Sequence, residues 1–270
     1  MNPFVFSCIT PHGGEIIPEL SKSISIRMEK TRTSMWKLGE QMAQANPDTI
    51  VVLTPHGTRI DGQFSISSCE RMIGEVEENG ELFKMERPVD KEIAISIVNE
   101  AKTLHLPVGG INFGTSEGPF SCLPLDWGTI VPLRFMPTVP IVVITPSRYI
   151  SYKEHIQLGE AIRNVASKST KKIGLIASCD WSHTHDKTGP YGYNPASIEL
   201  DQRVVEIIKS NKLEELADFD SKFIEEAKPD GIWQTLILAG AIPINERQVT
   251  FLSYEAPTYF GLLCAGYTQK

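Results

Sequence analysis

The tetrapeptide Thr-Pro-His-Gly closes two apolar runs of this chain, once as CITPHGG (Cys8–Gly14) and once as VVLTPHGT (Val51–Thr58). Each run is short and rich in β-branched residues, which reads as a buried strand. Proline stops the strand because it has no ladder donor, and glycine lets the backbone turn at little steric cost. The histidine is thereby held on a corner just past the carboxyl end of a strand. Ligands of α/β sheets bind at such ends, so His12 and His56 are placed to converge on one metal ion. A single histidine of this kind reads more simply as a loop residue beside a turn; the duplication in matching contexts favours ligation.

Working outward, further strands are expected at 4–10, 49–54, 107–113, 139–145, 172–178 and 248–254, with one more in the tail at 260–267. Between them lie helical patterns over 19–45, 90–104, 152–166, 197–210 and 230–242, the last nearly all apolar. Alternating strands and helices predict an α/β fold: one domain over 1–270, with a mixed central sheet and helices on both faces. The stretch IDGQFSISS (60–68) is expected to be an edge strand, and no Asn-Gly hairpin is read.

The bulk numbers agree. A chain of 270 residues with 41% apolar and 22% charged residues is ordinary for a globular protein. Its net charge of −7 and the lack of a basic stripe argue against nucleic acid as a partner. No apolar run approaches the ~18 residues of a membrane span, and the N-terminus does not read as a signal peptide. Five scattered cysteines with no CxxC pair fit a reduced, cytoplasmic setting.

A third strand end carries the same chemistry. The run 172–178 leads into CDWSHTHD (179–186), with Asp180, His183, His185 and Asp186. His105 is expected to pack at a helix end and His155 to lie on a helix surface. A two-histidine site needs a carboxylate to become the facial triad of non-haem Fe(II), or a catalytic zinc site. Asp230, Glu255 and Asp180 are the candidates; Asp230 also reads as an N-cap of the late apolar helix.

Five pieces taken together resemble one family. They are the two TPHG strand ends, PLDWGTIVPLRF (124–135), ASCDWSH (177–183), and DGIWQTLILAGAIP (230–243) followed by YEAPTYFGLLCAGY (254–267). In this order they resemble the class III extradiol ring-cleavage dioxygenases, the superfamily of the protocatechuate 4,5-dioxygenase catalytic subunit, which includes the Memo proteins. The resemblance implies a metal held by His12, His56 and a carboxylate for which Asp230 is the nearest match, with Glu255 in reserve. It implies that His183 is the catalytic acid/base. Ring-cleaving members typically carry Asp-His-Gly where this chain has Asp126-Trp127-Gly128. Trp127 is therefore expected to wall the substrate pocket beside Asp126, with His185 as a partial substitute for the missing histidine.

The function implied is a non-haem Fe(II) extradiol-type dioxygenase of aromatic catabolism, with a small catechol-like or aminophenol-like substrate and O2 as partners. A homo-oligomer is expected. The alternatives are a zinc-dependent hydrolase-like enzyme and a Memo-like protein that binds a metal and ligand with little turnover. Arg59, Arg134 and Arg148 are candidates for a substrate carboxylate, Glu117 and Asp126 for acceptors behind the ligand histidines, and Tyr191 and Tyr193 for a lid over the substrate.

Overall fold

Alternate side chains of a strand point to opposite faces of its sheet, and the apolar runs of this chain use both faces. The computed structural model describes residues 2–21 and 26–270. Its main sheet is eight-stranded and mixed. At the centre, β1 (Phe4–Thr10), β9 (Ile173–Ser178), β2 (Thr49–Leu53) and β8 (Ile141–Thr145) lie side by side and parallel. Beyond β8 come β3 (Phe64–Ser67), antiparallel to it, and then β6 (Val108–Ile111) at the edge. On the other flank β11 (Leu262–Gln269) runs antiparallel to β1, with β10 (Arg247–Glu255) outside it.

Ile9, Val51, Leu53, Val142, Ile144 and Leu175 face one layer, formed by α3 (Lys91–Thr103), α5 (Tyr152–Lys168), α6 (Ala196–Lys209) and α8 (Ile232–Ala241). Their neighbours Cys8, Ile50, Val52, Val143 and Ile176 face the other, formed by α2 (Glu29–Ala45), α4 (Trp127–Leu133) and a small sheet. All ten residues of α8 are buried, which is why its sequence is nearly all apolar; its polar pair is bonded, Gln234 donating to the Ser178 carbonyl and Thr235 to that of Gly231. Its contact with α5 is close enough to need two glycines. A Cβ on Gly240 would lie 1.9 Å from the Ile156 carbonyl oxygen, and one on Gly159 would lie 2.1 Å from that of Ile237.

Several expectations change. The helix expected over 19–45 is a short α1 (Pro18–Ser21) and a separate α2, whose preceding residue Met28 has a left-handed φ of 64°; residues 22–25 of that stretch lie outside the described residues. The stretch 60–68 does not form an edge, because β6 pairs outside β3. An Asn-Gly hairpin is present: β4 (Arg71–Glu78) and β5 (Glu81–Pro88) turn at Asn79 and Gly80, both with positive φ, and β4 pairs on its other side with β7 (Cys122–Pro124) to make the small sheet. His105 follows α3 as expected, but it is exposed and left-handed. His155 is fully buried rather than on a surface, donating from Nδ1 to the Ser151 carbonyl and meeting Phe64 edge-on. The short α7 (Ser221–Ala227) completes the set and leads into the residue that matters most below.

Candidate metal centre

The order β1-β9-β2 puts the two TPHG strand ends on either side of β9. Two strand steps are ~9.6 Å, so an imidazole reaching in from each side meets its partner above the end of β9. His12 Nε2 and His56 Nε2 lie 3.1 Å apart. The glycines after them answer to close packing here, since neither has a positive φ. A Cβ on Gly13 would strike the Phe260 ring at 2.9 Å, and one on Gly57 the Thr145 hydroxyl at 2.3 Å.

Asp230 completes the triangle. Its Oδ2 is 3.2 Å from His12 Nε2 and 3.4 Å from His56 Nε2. It does not cap α8: Gly231 holds the N-cap position without a side-chain bond, and Asp230 Oδ1 instead accepts from the backbone N–H of Asp180. The Asp230 N–H donates back to the Asp180 carbonyl, so α8 is tied at its entrance to the chain leaving β9. Ligand atoms ~2.1 Å from one ion are ~3.0 Å apart at right angles and ~3.4 Å apart at the tetrahedral angle. The three observed separations span that range.

The hydrogen bonds behind the site decide which nitrogen faces it. Ser178 Oγ donates its one proton to the Gly128 carbonyl, so it can only accept from His12 Nδ1, at 3.0 Å. Neutral His12, the form that can bind a metal, therefore carries its proton on Nδ1 and turns the lone pair of Nε2 toward Asp230 and His56. His183 follows the same logic. Its Nδ1 donates to the Lys228 carbonyl at 2.8 Å, leaving the Nε2 lone pair 4.0 Å from Asp230 Oδ2. On the His56 side, Asp126 Oδ1 accepts from Thr54 Oγ1, which in turn accepts from the His56 backbone N–H.

Electrostatically the site calls for a cation. Burial opposes a charged His12, but Asp180 and Asp230 outweigh it and lift the His12 pKa to about 9. Burial pushes the Asp230 carboxyl up, yet His12, with His56 and His183, more than offsets this and holds it far below the usual carboxylate range. Asp180, also buried, is raised chiefly by burial. The second proton of His12, on Nε2, thus stands in for a cation at the point where two imidazole nitrogens and a carboxylate meet. That donor set, two nitrogens and one oxygen on one face, fits a divalent transition metal.

Not every expected residue joins the group. Trp127 stacks on His56 with ring centroids 4.1 Å apart, forming a wall. Asp126 caps α4 and reaches Thr54, behind the ligand. His185 points away: its Nε2 pairs with the buried Asp201 at 2.8 Å, and Tyr254 shares that carboxylate. Tyr193 pairs with His185 across a short antiparallel bridge, and it is Tyr191 that lines the cavities. Glu255 lies outside the triangle, accepting from the backbone and hydroxyl of Thr31. Glu117 is exposed on the loop before β7, and Arg134 is paired with Glu19. Two cavities open from the triangle, one of about 450 Å³ and one of about 830 Å³, with His56 and His183 lining both. Ser178, Tyr259 and Phe260 complete the surroundings without having been singled out from the sequence. Of these only Ser178 left a signal, as the last strand residue before CDWSH.

Comparison with known proteins identifies the lineage. The model of the catalytic LigB subunit of aromatic ring-opening dioxygenase matches residues 7–261. Protein CA_C1420 of Clostridium acetobutylicum is 25% identical over 252 residues, covering 92% of this chain; the chain spans only 54% of that relative's length. The 2-aminophenol 1,6-dioxygenase beta subunit of a Pseudomonas species is 24% identical over 246 residues, covering 81% of this chain and 78% of the relative. The crystal structure of the Escherichia coli K12 protein JW3007 shares the fold with a TM-score of 0.62 at 15% identity, over 97% of this chain and 98% of that one. This chain belongs to the family of the catalytic LigB subunit of aromatic ring-opening dioxygenases.

Proposed function

We propose that residues 1–270 form one catalytic domain of a non-haem Fe(II) extradiol-type dioxygenase that opens a catechol-like or aminophenol-like ring with O2. The observation that carries this reading is the triangle of His12 Nε2, His56 Nε2 and Asp230 Oδ2, with the His183 Nε2 lone pair just beyond it. The bound metal would supply Lewis acidity and a meeting point for ring oxygens and O2. His12, His56 and Asp230 would hold it, at the point where the two cavities open. His183 Nε2 takes the proton of a ring hydroxyl and later returns it; its Nδ1–H, fixed on the Lys228 carbonyl, keeps the ring in the basic tautomer. Trp127 packs on His56 and keeps water from that side, and Phe260 stacks on His183 at 5.7 Å between ring centroids.

The aminophenol-dioxygenase name of the Pseudomonas relative supports an aminophenol-like or catechol-like ring, and its being a beta subunit supports an oligomer. No helix among the described residues is long and apolar enough to cross a membrane, and the five cysteines are free, which supports a cytoplasmic enzyme. Trp127 favours a second reading, a zinc hydrolase-like or Memo-like protein, because an indole lies against His56 where ring-cleaving relatives typically carry a histidine. One experiment separates them. Protein purified without oxygen is analysed for metal and then screened for O2 uptake with catechols and 2-aminophenols. Iron in 1:1 ratio with substrate-dependent uptake supports the dioxygenase; a zinc protein with no uptake on any ring overturns it.

A further inference from the structure

His185 is the histidine of CDWSHTHD that the triangle leaves unused, and the chain that follows it forms a strap. Residues 186–193 lead from the segment after β9 to α6. The strap is closed at its base by the Asn194 N–H on the Thr184 carbonyl and by the bridge between His185 and Tyr193. Two turns follow one another inside it: the Gly189 N–H meets the Asp186 carbonyl, and the Gly192 N–H meets that of Gly189. Gly192 has a φ of 70°, a left-handed conformation that glycine adopts at little cost. Gly189 lies hard against the wall of the site, where a Cβ would come 2.6 Å from that of Tyr259. Tyr191 stands in the second turn, between Pro190 and Gly192.

A side-chain clasp ties the two ends of this strap together. His185 Nε2 donates to Asp201 Oδ2 at 2.8 Å, and Asp201 comes from α6, 16 residues further along the chain. The same buried carboxylate accepts from the Ser182 N–H at 2.9 Å and the Tyr254 hydroxyl at 2.7 Å. The residue just before the strap is thus fastened to the helix just after it. Holding both ends removes most of the freedom that a loop of this length would have, and a buried carboxylate resists losing one of its donors.

The clasped strap puts Tyr191 where the crevice divides. The cavities of about 450 Å³ and about 830 Å³ have three lining residues in common, His56, His183 and Tyr191. The two histidines belong to the corners after β2 and β9; Tyr191 is the one that the strap supplies. Its ring meets His183 edge-on, with centroids 6.0 Å apart and planes at 86°, and lies 6.3 Å from the Tyr259 ring. The cavities on its two sides differ in character. The smaller carries Arg148, which lies over the Trp233 ring at 4.5 Å and feels the charges of Asp230 and Arg59. The wider carries Glu75 and Glu77 of β4.

Resting on the dioxygenase reading of the triangle, we infer that Tyr191 decides which ring substituents the site admits, and that His185 acts through Asp201 to position it. A ring whose hydroxyls face the triangle can send a bulky group into one cavity or into the other. The Tyr191 ring stands between them, so a ring with bulk on two sides is turned away. Tyr191 is thus a specificity-determining residue and His185 a positioning residue.

The test for Tyr191 is calorimetric binding of catechols to zinc-loaded protein, since zinc has no redox chemistry and does not turn them over. Wild-type protein should bind 3,5-di-tert-butylcatechol about tenfold or more weaker than 4-tert-butylcatechol, as for a steric wall in an apolar pocket. Tyr191→Ala should bring the two within about threefold of each other, and Tyr191→Phe should keep the wild-type ratio, because the wall is the ring and not the hydroxyl. A ratio taken within one protein does not move with that protein's stability. If wild type binds both catechols equally, or if the ratio survives Tyr191→Ala, Tyr191 is not the divider. The clasp is read without any ligand. His185→Ala should speed amide hydrogen exchange in residues 186–193 by about tenfold beyond any change in β9. It should also shift the catechol ratio toward that of Tyr191→Ala, and in the double variant it should shift the ratio no further. Unchanged exchange in the strap, or additive shifts, overturns the role of His185. If no catechol binds the zinc protein, the dioxygenase reading fails and the role of Tyr191 with it, while the exchange result still decides the clasp.

Discussion

Ser178→Ala is the most informative single change at this site. Ser178 Oγ is buried between two groups, accepting from His12 Nδ1 at 3.0 Å and donating to the Gly128 carbonyl. Removing it leaves a ring N–H and a carbonyl unpaired in the interior. Each such group costs about 1–3 kcal/mol, and with partial relaxation the protein should lose about 3 kcal/mol in urea unfolding. The effect on metal should be separate and larger in proportion than a methyl-sized hole implies. Without an acceptor on Nδ1 the neutral ring is free to place its proton on Nε2, the atom that must give its lone pair. Loss of such an orienting partner typically weakens metal affinity about 10–100-fold. Competition with a chromophoric chelator reads the zinc affinity directly. Ser182→Ala is the control, because the Ser182 hydroxyl is equally buried but has no hydrogen-bond partner; it should change neither quantity measurably. Wild-type zinc affinity in Ser178→Ala would refute the argument that this serine sets the His12 tautomer.

Other outcomes follow from the same geometry. His183→Gln should retain stoichiometric metal and lose about 10²–10⁴-fold in turnover, whereas His185→Gln, which breaks the bond to Asp201, should lower stability first; loss of metal in His183→Gln would make His183 a ligand. Burial lowers the His155 pKa from 6.5 to about 4, so the unfolded chain binds that proton more readily. The stability at stake is full above pH 6.5 and falls as the pH drops toward 4, by up to about 3 kcal/mol. His155→Leu should flatten this part of the curve of unfolding free energy against pH, and parallel curves would show that His155 is not held neutral. Gly240→Ala gains about 1 kcal/mol in helix propensity but drives a methyl into the Ile156 carbonyl at 1.9 Å. Overpacking of this kind costs about 1–3 kcal/mol, at the upper end against immovable backbone, so a net loss of about 2 kcal/mol in urea unfolding is expected and a more stable variant would contradict the packing.

The parts of the fold readable from sequence were those in which one signal dominated. The central strands are mostly apolar because both faces of the sheet are covered, and α8 is nearly all apolar because it is buried all round. The convergence of His12 and His56 was readable because strand ends have few directions in which to aim a side chain; the carboxylate stayed open between Asp230, Glu255 and Asp180 until the family resemblance pointed to Asp230. The β4–β5 hairpin was missed although Asn79-Gly80 is a strong turn signal. Its strands are charged, with one face toward solvent, and they do not resemble the buried runs around them. His155 was placed on the surface although it shares a helical face with Leu158, Gly159 and Ile162, all buried; its polarity outweighed its position in the reading. His185 was misplaced for a different reason. The segment after β9 does not continue as a regular strand; it pairs with the start of β11 through Trp181 and Gly261, and only Asp201, brought from α6, decides where the second histidine turns.

The insertion of β9 between β1 and β2 also sets a timetable. The two TPHG corners, 44 residues apart in sequence, cannot take up their spacing until residues 173–178 have entered the gap between them. Asp230 lies 218 residues from His12 along the chain. During synthesis, then, the ribosome must release most of the chain before any ion can be chelated. Any ion that this triangle holds would therefore meet a nearly finished sheet, whose non-local strand pairing is of the slow kind.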